Sequence, residues 1–183
     1  MKDTKHEVLH FWFTESQPSQ LFQINDAFDE QIRERFAITY DMAKDGLSHH
    51  WADDADGALA LCIVLSQFPR RMFRGTPEAY ASDETARLIS KKAIASGFDQ
   101  MMPHEKKFFL YIPIEYSETI ADQEINLKHF KAMERDNPIA YSVAQRRYDT
   151  IKTFGRFPER NAALGRENTP EEAAYLEKLG MRI

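Results

Sequence analysis

Arginines gather in this chain where proline meets an aromatic ring. Of 13 Arg, three fall between residues 70 and 74 and five between 146 and 166, and each window surrounds an FPxR tetrapeptide, in QFPRRMFR (67–74) and FGRFPERN (154–161). The planar guanidinium grips a carboxylate or phosphate through two parallel hydrogen bonds. Arg70, Arg71, Arg74, Arg156, Arg160 and Arg166, with the amides Gln67 and Asn161 beside them, are therefore candidates for one anion receptor. The alternative is structural: an Arg next to a helix-ending proline can bond the last free carbonyls, or pair with an internal carboxylate such as Asp83, Glu115, Glu118 or Asp122.

Between the two windows lies YIPIEYSETIADQ, residues 111–123, which brings Tyr111, Glu115, Tyr116, Ser117, Glu118 and Gln123 to a break between helices. That set can supply a carboxylate base, a hydroxyl and an amide. It also reads as a serine cap followed by an acidic first turn.

Other chemistries find little support. His6 and His10 have i, i+4 spacing but lack a further metal ligand, HEKKF (104–108) lacks the second His of a zinc-protease helix, and no Gly-rich phosphate loop, GxSxG elbow or paired CxxC is present. No metal and no cofactor are expected.

These residues must be positioned by helices, since start and stop signals recur and no alternating strand is bounded by turn residues. About eight helices are predicted. The first opens at Thr4; the second runs from Asn25 as cap to Gly46; the third, Asp54 to Phe68, is apolar all round and so central. Further starts fall at Thr76–Pro77, at Ser82, at Pro103 with an end or kink at Pro113, at Ser117 as cap, at Asn137–Pro138 with Gly155 as stop, and at the capping box TPEE (169–172). Short connections predict antiparallel hairpins.

With 183 residues, 43% hydrophobic and 29% charged, and no flexible linker, one helical domain over 1–183 is expected. A net charge of -5 disfavours nucleic acid as a partner. The single Cys62 lies in ALALCIVL and reads as a small buried hydrophobe. The N-terminus lacks a signal-peptide core and the longest apolar run, 58–65, is too short to span a membrane, so a cytoplasmic protein is expected.

In order along the chain, FWF (11–13), GALAL (57–61), QFPRRMFRG (67–75), LYIPIEYSE (110–118), FGRFPERN (154–161) and LGRE (164–167) resemble the bacterial domain-of-unknown-function family 924. The resemblance implies a tetratricopeptide-like right-handed stack of helical hairpins and supplies no activity. In that pattern Gln67, Arg70, Arg74, Ser117, Glu118, Gln123, Arg156, Arg160 and Asn161 stand where the family has them. Tyr116, Arg147 and Glu159 stand where relatives commonly have His, so any metal or acid–base site built on those histidines has no counterpart here.

The functional expectation is a helical module that binds a small anionic ligand or an acidic peptide in an Arg-lined pocket, its oligomeric state open. The alternative is a small hydrolase or lyase with Glu115 or Glu118 as base and arginines stabilising negative charge.

Overall fold

The structure is a computed structural model that describes residues 4–180. Among them the chain is all-α, with ten α-helical segments, short 3-10 turns and no strand. It divides into two compact units, residues 1–74 with 78–113, and residues 75–77 with 114–183.

The first unit is built around α4 (Ala55–Ser66). Every side chain from Ala58 to Leu65 is completely buried, as the all-round apolar pattern requires. Its cover comes from α1 (Thr4–His10), α3 (Asp26–Lys44), α5 (Phe68–Met72), α6 (Asp83–Ala95) and the 3-10 turn His49–Asp53. Each large side chain buried there contributes about 1.5–3 kcal/mol. The aromatic part of this core joins Phe11 and Trp12, in a π-helical turn after α1, to Phe28, Phe36 and Phe68.

Gly57 lets α4 begin so close to the 3-10 turn that a Cβ there would stand 2.0 Å from the Trp51 carbonyl oxygen. Cys62 is buried, and burial pushes its thiol pKa up, so it packs as a hydrophobe. The last helix of this unit, α7 (His104–Glu115), carries Pro113 inside its final turn and stops at Glu115; the division between the units falls at Pro113.

In the second unit α8 (Ile120–Ala132) and α9 (Pro138–Phe154) pack as a hairpin. Asn137 caps α9 by accepting from the Ala140 N–H at 3.0 Å, and Gly155 ends it in the left-handed region at φ 71°, where a side chain would be strained. After the 3-10 turn Pro158–Arg160 the chain enters α10 (Pro170–Lys178) through a complete Thr169–Glu172 capping box. Phe130, Ile151, Phe157 and Leu176 form its core.

Several predicted helix ends move. Besides α2 (Pro18–Phe22), α5 is a separate one-turn helix after Gln67, so the predicted third helix stops at Ser66. The N-cap of α8 is Thr119, not Ser117. Ser82 precedes α6, but its hydroxyl donates to the Leu65 carbonyl at 2.6 Å instead of capping. No helix among the described residues is long and apolar enough to cross a membrane.

Candidate functional site

Both FPxR segments start a helical turn. Pro69 lies in the first turn of α5 and Pro158 opens the 3-10 turn, positions where the missing N–H costs nothing. The arginines that follow are then committed locally, each within its own unit.

In the first unit Arg70 grips Asp83 with two parallel bonds of 2.6 and 2.7 Å and donates to the Ser66 carbonyl at 2.8 Å. Arg71 donates to the Leu21 and Gln23 carbonyls, tying down the α2 segment, and with Arg74 it pairs with the buried Asp29. Gln67 donates to Ser66 Oγ. Tyr111 donates to Asp99 Oδ2 at 2.8 Å, and burial pushes its hydroxyl pKa up.

In the second unit the residues from FGRFPERN and the YSE break form one network. Arg156 places Nε and Nη2 on the two oxygens of buried Glu172, at 2.6 and 2.8 Å. Asn161 reaches Glu172 at 3.2 Å and accepts from Arg166 Nε at 2.8 Å. Arg166 then forks onto Glu118, which also accepts from the Phe157 N–H at 2.7 Å. Gln123 donates to the Glu115 and Ser117 carbonyls and Ser117 donates to Asp122, closing the turn between α7 and α8. Ser117, Glu118, Gln123, Arg156 and Asn161 are thus brought together, and Arg160 is buried among them over the Phe157 ring, 4.5 Å from its centroid.

These contacts set the charges. Hydrogen bonds from Arg156 hold Glu172 at a pKa of about 2. Burial alone would raise Glu118, but Arg166 and the Phe157 N–H outweigh it and the carboxyl lies below its ordinary value. Glu115 is the opposite case. Burial drives it up, and Arg147, with Asn126 and Arg146 behind it, only partly reverses this. Arg147 Nε stands 2.7 Å from Glu115 Oε1 as an ion pair, yet its N–H is not aligned for a hydrogen bond. Arg147 is also held over the rings of Tyr116 and Phe157.

Beside this network, α9 and α10 leave a cleft of about 320 Å³ lined by Arg146, Arg147, Thr150, Glu159, Tyr175 and Leu179. Arg146 is exposed and makes no ion pair among the described residues, acting on Glu115 only at longer range. Glu159 Oε2 is buried without a hydrogen-bond partner. Tyr175 is fixed by Thr150, 3.2 Å away, and by a tilted contact with the Phe154 ring, 5.0 Å between centroids. Arg146, Thr150 and Tyr175 were not singled out from sequence. The adjacent Arg146–Arg147 pair in a helix was the available signal, but only the return of α10 onto α9 turns it into a cleft.

Among the described residues, the fold and this charged, partly satisfied cluster define an all-helical protein with an internal arginine–carboxylate network and an open arginine-lined cleft. The chain belongs to the family described as bacterial protein of unknown function (DUF924), whose model matches residues 8–180. It is similar to a solved structure of a protein of unknown function from Agrobacterium tumefaciens, at 34% identity and a TM-score of 0.89, over 96% of this chain and 97% of that one. No curated protein matches the chain.

Proposed function

We propose that the protein is a binding module for a small anionic group, which it holds in the cleft of the second unit between α9 and α10. The observation that carries this reading is Arg146, a cleft-lining guanidinium that makes no ion pair among the described residues, next to Arg147, which Glu115 and two aromatic rings hold in place. Arginines already neutralised by buried partners have little left for a ligand, whereas an unpaired one gains a charge-assisted, bidentate contact. The FPxR arginines of this unit and Asn161 supply the frame that closes residues 156–172.

The test is thermal unfolding with increasing sodium succinate, sodium phosphate and, as an ionic-strength control, sodium chloride. A bound anion at a hundred times its dissociation constant stabilises by about 2.7 kcal/mol. The expected result is a saturable rise in Tm with succinate or phosphate that chloride does not reproduce and Arg146→Ala abolishes. No rise, or an equal rise in the variant, refutes the reading.

One observation favours a second reading. Glu115, with its raised pKa beside Arg147, is the carboxylate suited to act as a base in a hydrolase or lyase, because both Glu118 oxygens are engaged and its pKa is lowered. Catalysis would appear as turnover of a bound ligand that Glu115→Gln loses while retaining affinity.

A further inference from the structure

The arginine cleft continues into a larger space. Arg146, Thr150 and Tyr175 also line a cavity of about 670 Å³ that follows α9 from Pro138 to Phe154. The 17 residues of that helix extend ~25 Å, room for about seven residues of extended chain. Succinate or phosphate would occupy the smaller part alone.

Two features describe what fills the rest. The cleft presents an acceptor as well as cations, for the buried Glu159 Oε2 has no hydrogen-bond partner. A bare phosphate offers that carboxylate no N–H. A carboxylate that carries an N–H on the neighbouring carbon satisfies Arg146 and Glu159 together, and the last residue of a peptide has that arrangement.

The larger cavity adds a ladder of polar side chains. Gln145, Asp149 and Thr153 stand at i, i+4 and i+8 on one face of α9, about 6 Å apart. An extended peptide turns amide groups to the same side every ~6.6–6.8 Å, so the two ladders match in pitch. Tyr141 and Phe154 flank the ladder with rings on which side chains can rest. The Asp149 carboxylate, which accepts from Gln145 at 3.1 Å, disfavours acidic residues upstream of the terminus.

We propose that the occupant is the free C-terminus of an extended, non-acidic peptide segment, with its terminal carboxylate on Arg146, its last amide N–H on Glu159, and its chain along α9. This rests on the anion-binding reading above and assigns it a ligand class.

The experiment presents immobilised hexapeptides of varied sequence to the full chain, in matched arrays with a free C-terminal carboxylate or a C-terminal amide. Selected sequences are then titrated by calorimetry. The expected result is binding to free-acid peptides at least tenfold tighter than to their amides, lost with Arg146→Ala. Glu159→Ala should weaken the peptide but leave succinate binding intact. Equal binding of acid and amide forms overturns the proposal, as does binding to neither. In the latter case, Arg146-dependent stabilisation by succinate would keep the anion reading alone, and its absence would remove both.

Discussion

Glu172→Gln probes the centre of the polar network. In the native protein the buried carboxylate accepts four hydrogen bonds: Arg156 Nε on Oε1, and Arg156 Nη2, the Thr169 N–H and Asn161 Nδ2 on Oε2. Glutamine has only one oxygen. Its best orientation puts that oxygen at the Oε2 position, which leaves an NH₂ facing Arg156 Nε–H, donor against donor. At least one charge-assisted bond, worth about 1.5–3 kcal/mol, is lost, and Arg156 is left without its counter-charge. Removing one partner of a fully buried pair costs about 3–5 kcal/mol, but the Arg156 side chain is 30% exposed and can turn to water. The expected loss is therefore about 2–4 kcal/mol.

The pH dependence makes the test specific. Because the folded pKa of Glu172 is about 2 and its ordinary value is 4.5, the unfolded chain takes up this proton first as pH falls. Its stabilisation is complete above about pH 4.5 and drains away between there and about pH 2. Urea unfolding of wild type and variant at pH 7, 5, 4 and 3 should show a gap constant from 7 to 5 that narrows below 4.5. A gap under 1 kcal/mol at pH 7, or one that persists unchanged at pH 3, would refute the role given to this carboxylate.

Other positions give independent checks. Gly57→Ala should destabilise by more than 2 kcal/mol in thermal unfolding, although helix propensity alone favours alanine by about 1 kcal/mol, because the new Cβ would collide with the Trp51 carbonyl. Tyr111→Phe should cost about 1–2 kcal/mol, since Asp99 stays buried and keeps the Gln100 donor but loses the hydroxyl. Arg146→Ala should leave unfolding free energy within about 0.5 kcal/mol of wild type while removing anion binding, the reverse of Glu172→Gln.

The helices were legible where the signal is local. Asn25, Asn137 and the Thr169–Glu172 box cap the helices they were expected to cap, because each side chain is within reach of an orphan N–H two or three residues ahead. Signals failed where another group competed for the same atom. Ser82 is taken by the Leu65 carbonyl, and Ser117 by Asp122 and the Thr119 N–H, which moves the cap of α8 to Thr119. Pro113 predicts an end or a kink, and α7 runs two residues beyond it, since a missing N–H in the final turn removes only one bond.

The same competition governs the site. Residue type singled out Arg70, Arg156 and Arg166 as anion ligands, but type cannot say whether the anion is foreign or belongs to the chain, and Asp83, Glu172 and Glu118 are closer than any solute. An arginine available for a ligand is one whose surroundings leave it unpaired, which depends on carboxylates far away in sequence. Arg146 meets that condition and its neighbour Arg147 does not, although the two are adjacent. One turns to the open cleft, while the other is drawn to Glu115, 32 positions earlier in the chain. Arginine density in the sequence therefore locates the network, and the mismatch between cations and available carboxylates within it locates the opening.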